Sequence, residues 1–260
     1  MKRGRHEKVI AGRREKLLRP FKDAIIDSSS RFDIVEEYKI IRTNIMYSFV
    51  ETGSKVLCMT SPSPYDGKTT ASINLGITFA QTGARVLVMD CDLRKPNVHR
   101  YLKLQAEPGI TNVLGAFCPL NDAIQKTSYE GLDALVCGHL PPNPAELLAS
   151  GAMVSLLDYL KGTYEYIFVD TPPVNTVTDA TVISKLVSGV IIIARQSITT
   201  YDEVRITLEK LKQAHARVLG FMLNDAKEET DYYSNKKYCH SYYNQYSNYT
   251  PAMSGVKMDG

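Results

Sequence analysis

Residues 55–70 read KVLCMTSPSPYDGKTT. A strand-sized apolar run passes into a loop rich in Ser and Pro, which ends on Gly67-Lys68-Thr69-Thr70. The run is continuous rather than alternating, as expected of a strand covered on both faces, and a helix is predicted to open near Lys68. A loop between such a strand and a helix start gathers backbone N–H groups around phosphate oxygens. Lys68 would there meet the β- and γ-phosphates and the Thr69 hydroxyl would face Mg²⁺, with the backbone around Gly67 closing the cradle. Pro62 stands where the general G-x-x-x-x-G-K-[ST] pattern has its first glycine, so the ending of the loop carries the assignment.

Further runs of the same kind follow: RVLVMD (85–90), LDALVC (132–137), YEYIFVD (164–170), GVIIIA (189–194) and VLGFMLN (218–224). Their alternation with helical patterns predicts an α/β fold, a mostly parallel P-loop NTPase sheet flanked by helices and joined by right-handed crossovers. Strand carboxyl ends line the ligand crevice of such a sheet. Asp90 and Asp92 therefore arrive beside the phosphate loop from one strand and Asp170 from another. Three converging carboxylates repel and lose acidity unless a cation joins them, which a Mg-nucleotide would do. Taken singly, each Asp could merely cap the helix after its strand. Taken with GKTT, they read as one site.

The remainder of the chain narrows the class. Of its 260 residues, 44% are apolar and 23% charged, and no apolar run approaches the roughly 18 to 20 residues of a bilayer crossing. Met1 is followed by basic polar sequence without the apolar core of a secretory signal, so a cytoplasmic address is expected. The five cysteines are odd in number and lack a C-x-x-C pair, and the five histidines share no metal-ligand spacing. Up to Lys22, nine Lys/Arg stand against two Glu, a net of +7 that leaves −4 for everything after it. Such an arm, residues 1–35, suits an anionic partner or a solvated terminus. Glu36 to Val50 carries helical spacing at Ile41, Ile45 and Phe49, and Asn143-Pro144-x-Glu146 reads as an N-cap, a first-turn Pro and a Glu returning a bond to the cap. From 226 to 260 there is no Leu, Ile or Phe, yet seven of the sixteen tyrosines fall within eighteen residues: Tyr232, Tyr233, Tyr238, Tyr242, Tyr243, Tyr246 and Tyr249. This composition predicts a disordered tail after a nucleotide-binding domain spanning 36–225.

GKTT, VLVMDCDLRKP (86–96) and YIFVDTPP (166–173), with PPNPAELL at 141–148, resemble the Walker A, A′ and B motifs and a further motif of the bacterial tyrosine kinases of capsule and exopolysaccharide loci. The resemblance runs from about Glu36 to Asn224. It implies a kinase grown from deviant Walker ATPases that autophosphorylates a C-terminal tyrosine cluster, here the seven tail tyrosines, and regulates polysaccharide polymerisation and export. It implies ATP and Mg²⁺ as cofactors. Asp66, Gly67, Lys68, Thr69, Thr70 and Arg94 would contact the nucleotide, and Asn224 the adenine. Thr69, Asp92 and Asp170 would be metal-side ligands. Lys68, Asp90, Asp92 and Asp170 would be catalytic, with either Asp90 or Asp92 accepting the tyrosine proton.

The family's E-x-x-R-x-x-R motif, which builds a ring of subunits, reads Glu36-x-x-Lys39-x-x-Arg42 here, and lysine lacks arginine's bidentate fork. Tyr65 occupies the place of a usual glycine. Ser63 stands where the related partition ATPases carry a signature lysine. With no membrane span, the chain resembles the split form of the family. That form implies as partners the cytoplasmic segment of a membrane activator of the polysaccharide co-polymerase type, a homo-oligomeric ring and a cognate tyrosine phosphatase, with no nucleic acid, at the inner face of the plasma membrane. The alternative is a non-kinase ATPase switch that uses its basic arm to bind a membrane or DNA partner.

Overall fold

The structure is a computed structural model that describes residues 24–27, 29–50 and 52–226. The basic arm up to residue 23, Cys239 and the tail with its seven tyrosines lie outside the described residues. Helix α1 (Phe32–Tyr47) leads into β1 (Lys55–Thr60), α2 (Lys68–Ala80) and β2 (Val86–Asp90). The short helices α3 (Val98–Leu102), α4 (Ile110–Leu114) and α5 (Leu120–Ala123) precede β3 (Ile124–Lys126) and β4 (Leu132–Leu135). Then come α6 (Pro144–Leu148), α7 (Gly151–Lys161), β5 (Tyr166–Asp170), α8 (Asp179–Ile183), β6 (Gly189–Arg195), α9 (Tyr201–Gln213) and β7 (Val218–Asn224).

Every predicted strand is present, and α2 opens at Lys68 as its sequence requires. The seven strands form one sheet in the order β3-β4-β2-β5-β1-β6-β7. All neighbours are parallel except β3 and β4, which pair antiparallel. The three-residue β3 has no apolar run and could not be read from sequence. It exists because Ile124, Gln125 and Lys126 find Leu135, Ala134 and Asp133 on an otherwise open edge.

Strand alternation divides the core. Val56, Cys58, Leu87, Met89, Ile167, Val169, Val190 and Ile192 face one layer, where α7, α8 and α9 deliver Met153, Leu156, Leu157, Leu160, Ile183 and Leu211. Leu57, Met59, Val86, Val88, Phe168, Ile191 and Ile193 face the other, under Tyr38 and Ile45 of α1 and Ile73, Leu75, Ile77 and Phe79 of α2. Both faces are thus dry, which is why the runs are continuous. Among the described residues, no helix is long and apolar enough to cross a membrane.

Two readings need correction. Helix α1 begins at Phe32, ahead of the expected Glu36, after a turn in which Asp27 Oδ1 accepts from the Ser29 N–H and hydroxyl at 2.8 and 2.6 Å. Just before that turn the arm is docked: Ile25 and Ile26 are buried, and Asn74 of α2 accepts from the Ile26 N–H and donates to the Ala24 carbonyl, each at 3.0 Å. At α6, Asn143 is the N-cap and Pro144 the first helical residue, but the Asn143 side chain makes no capping bond.

Gly109 shows how closely the chain is packed where β4 ends. Ile110 N–H donates to the Val136 carbonyl at 2.8 Å and Thr111 N–H to that of Cys137 at 3.0 Å. A Cβ on Gly109 would lie 2.3 Å from both Val136 O and Gly138 N. Since the three atoms nearest that Cβ are all backbone and cannot swing aside, Gly109→Ala is expected to cost about 1–3 kcal/mol of stability. Chemical denaturation checks this, and an unchanged midpoint would refute the close approach.

Candidate active site

The strand order decides what meets at the sheet's carboxyl edge. β5 lies between β1 and β2, with Asp170 in register with Met59 on one side and Asp90 on the other. The phosphate loop after β1 and the acidic loop after β2 therefore flank the end of β5. Thr69, on the first turn of α2, donates its hydroxyl to Asp170 Oδ2 at 2.6 Å. Ser72, one turn on, donates to the Lys68 carbonyl at 2.9 Å and lies 3.5 Å from Asp170 Oδ1.

Asp90 is fully buried and gathered into its own loop. Its Oδ1 accepts the Asp92 N–H at 3.2 Å, while Oδ2 accepts those of Asn97 and Val98 at 3.0 and 2.9 Å. Asp92 is half-buried, and its Oδ1 accepts the N–H groups of Arg94 and Lys95 at 3.4 and 3.0 Å. Arg94 places its guanidinium bidentately on the buried Asp179, with Nε to Oδ2 at 2.9 Å and Nη2 to Oδ1 at 3.0 Å. Nothing in the sequence around Asp179 marked it as Arg94's partner.

The phosphate loop is held from outside the motif. Ser63 N–H donates to Asp66 Oδ2 at 3.1 Å, and Ser63 Oγ donates to Glu203 Oε1 at 2.6 Å. Glu203 is itself the third residue of the α9 capping box begun by Thr200. Asn224, at the end of β7, donates Nδ2 to the Asp66 carbonyl at 2.9 Å and accepts the Asp225 N–H on Oδ1 at 2.9 Å. Gly67 has φ of +99°, and a Cβ there would lie 2.0 Å from Asn224 Nδ2. Tyr65 has a φ of +69° without glycine's freedom, and its side chain is exposed. Thr70 is half-buried in the first turn of α2. Ser72, Glu203, Arg195 and Asp225 were missed by the sequence reading, because each joins the site by tertiary contact from outside the motif.

Glu36 and Lys39 pair with each other on α1 at 2.7 Å, and Arg42 Nη1 donates to the Thr78 carbonyl of α2. Cys58, Cys91 and Cys137 are buried free thiols. Among the described residues no cluster of His, Cys, Asp and Glu could hold a metal ion by itself.

Electrostatics mark the edge where these groups meet. Burial pushes Asp90 well above the carboxylate range, with Asp170 adding to the shift. Burial likewise raises Asp170, to about 7, against the pull of Lys68, Thr69 and Ser72. Asp92 is raised by burial and lowered by Lys68. Two buried acids, a buried lysine and a threonine hydroxyl thus meet at the start of α2, beside the loop that follows β1.

A parallel sheet with this loop and this acidic edge defines a nucleotide-binding α/β domain, and the family description "AAA domain" matches residues 54–218. The chain is 37% identical over 191 residues to the putative tyrosine-protein kinase CapB of Staphylococcus aureus, covering 74% of this chain and 84% of that one. It is 36% identical over 205 residues to the tyrosine-protein kinase YwqD of Bacillus subtilis, covering 77% and 86%. The crystal structure of the chimerical protein CapA2B2 superposes with a TM-score of 0.75 at 35% identity, covering 79% of this chain and 91% of that one. The chain belongs to the bacterial tyrosine-protein kinase family.

The raised carboxyls set a pH dependence. A folded-state value above the ordinary 3.8 means that the folded chain keeps a proton the unfolded chain has released, so stability is lost as pH rises through the folded value. The nucleotide-free protein is therefore expected to lose thermal stability between about pH 5 and pH 8, and Asp170→Asn to flatten that loss and to melt no lower than wild type at about pH 8. Thermal scans across this range check both. A wild-type midpoint that climbs towards pH 8 would contradict the buried-acid account.

Proposed function

We propose that this tyrosine kinase transfers the terminal phosphoryl group of Mg-ATP to tyrosines of its own C-terminal cluster, and thereby regulates polysaccharide polymerisation and export. The observation that carries the reading is the joining of Thr69 to Asp170 beside Lys68, which couples the phosphate loop to the acidic edge. Lys68 and the N–H groups around Gly67 bind and orient phosphate oxygens, with Asp66, Thr70 and Arg94 around them. Thr69 and Asp170, with Asp92 near, are the oxygen donors that fit Mg²⁺. Bound Mg-ATP supplies the phosphoryl group and the charge that offsets these carboxylates. Phosphoryl transfer asks the protein mainly for positioning and electrostatic stabilisation.

Asp90 has both oxygens engaged by backbone N–H groups and serves to shape the loop. Acceptance of the tyrosine proton then falls to Asp92, which feels the pull of Lys68 and is less deeply buried. Asn224 braces the loop from the end of β7.

Assembly follows from α1. Glu36, Ile40 and Tyr47 fall on one face, with Tyr47 84% exposed, opposite the side that buries Tyr38 and Ile45. This face supports a homo-oligomer in which one copy's tail reaches another's crevice. The cytoplasmic segment of a membrane activator would hold the ring at the inner membrane surface, the basic arm would lie near headgroups, and a cognate phosphatase would reset the tyrosines. Each phosphate adds about −1.5 to −2 charge at pH 7, so a fully modified tail repels its neighbours and the acidic crevice.

Lys68→Ala is expected to abolish phosphotyrosine after incubation with Mg-ATP and the activator segment while leaving the circular dichroism spectrum unchanged. Wild-type labelling of that variant would displace the site. Removal of residues 230–260 is expected to abolish autophosphorylation but to preserve ATP binding and the phosphorylation of an added tail peptide. Loss of ATP binding on truncation would place the tail within the catalytic domain. Ile40→Ser with Tyr47→Ser, both exposed on α1, is expected to lower the sedimentation coefficient of the assembly, and a wild type already monomeric with its activator would remove the ring.

A further inference from the structure

Arg195 is the last residue of β6, and its side chain is only 8% exposed. Its guanidinium bridges two segments far apart in sequence. Nη1 donates to the Tyr65 carbonyl at 3.1 Å, while Nη2 and Nε donate to Asp225 Oδ2 at 3.1 and 3.3 Å. One residue along, Asn224 Nδ2 holds the Asp66 carbonyl at 2.9 Å. Both carbonyls that precede Gly67 are therefore pinned from the ends of β6 and β7.

Peptide planarity gives this pinning a consequence. In a trans peptide the C=O of one residue and the N–H of the next point in opposite directions. Turning the Tyr65 carbonyl towards Arg195 turns the Asp66 N–H the other way, and turning the Asp66 carbonyl towards Asn224 does the same for the Gly67 N–H. These are the groups that a phosphate loop aims at its anion. Tyr65 also sits at a φ of +69°, a conformation a non-glycine residue keeps at a cost of about 1–2 kcal/mol and only where its surroundings over-determine it. A fork that donates in two directions at once supplies that constraint, and a lysine point charge would not.

We propose that Arg195 and Asp225 form a latch that positions the phosphate loop for nucleotide: Asp225 orients the guanidinium, and Arg195 holds the Tyr65-Asp66 peptide so that its N–H faces the bound phosphates. They are positioning residues, and the proposal rests on the nucleotide reading of the loop.

Asp225→Asn in the full chain is the sharpest test. Asn tolerates the left-handed backbone of Asp225, where φ is +55°, and keeps the size of the side chain while removing its charge. The Kd for Mg-ADP and the KM for Mg-ATP, with an added tail peptide as acceptor, are expected to rise about tenfold, the value of one charge-assisted hydrogen bond. The kcat should stay within about twofold, since the reacting groups are untouched. Asp225→Glu should restore affinity, and Arg195→Lys should behave as Asp225→Asn. A lowered thermal midpoint with unchanged Kd and KM would make the pair merely structural and overturn the proposal, as would a fall in kcat at constant KM. If the unaltered chain fails to bind Mg-ADP, the nucleotide reading itself falls and the latch with it.

Discussion

Burying carboxylates side by side is unfavourable unless hydrogen bonds or a cation offset the desolvation, and the carboxyl edge of this sheet is organised around that constraint. Asp90 and Asp170 end adjacent strands in register. Asp90 is satisfied by three backbone N–H groups, and Asp170 by Thr69 and Ser72 with Lys68 close by. The solutions differ in kind. Backbone donors cannot leave Asp90, so it behaves as a fixed part of its loop. Side-chain hydroxyls can reorient, so the partners of Asp170 are less fixed than those of Asp90. The same burial raises both carboxyls above their ordinary range.

The sheet order converts this local chemistry into a site. Had β1 and β2 been neighbours, the phosphate loop and the Asp90-Asp92 loop would meet without the β5 carboxylate between them. Inserting β5 puts Asp170 within reach of both. On the far side, β6 and β7 extend the sheet so that Arg195 and Asn224 arrive behind the phosphate loop. Glu203 reaches the loop from the start of α9 and ties it to a helix whose capping box it also completes. The loop is thereby held at Ser63, Tyr65 and Asp66 before the glycine turn begins. This bracing accounts for Tyr65 at a φ of +69°, a backbone conformation that favours glycine: rigidity imposed from outside the loop replaces conformational freedom within it.

Helix α1 illustrates a division of labour between fold and assembly. Arg42 is spent inside the subunit on the Thr78 carbonyl, and Lys39 on its own helix neighbour Glu36. The outward stripe is left to Ile40 and Tyr47. A contact between copies on this face would therefore draw more on apolar area than on an arginine fork.

The sequence by itself determined the parallel α/β sheet, the strand-loop-helix turn ending on GKTT, and the arrival of Asp90, Asp92 and Asp170 at one edge. Each of these depends on local periodicity and on the rule that parallel strands present their carboxyl ends together. The antiparallel β3 was not legible, because three residues carry no period. The unfulfilled Asn143 cap was misread for a related reason, since the pattern names a possible bond and only the backbone path decides whether it forms. Tertiary structure alone decided that Asp90 is enclosed while Asp92 is not, that Arg94 rests on Asp179, and that Arg195, Asn224 and Glu203 hold the phosphate loop from 130, 158 and 140 residues away. Such contacts join elements that share no sequence period, and they exist only because the strand order brings their ends into one crevice.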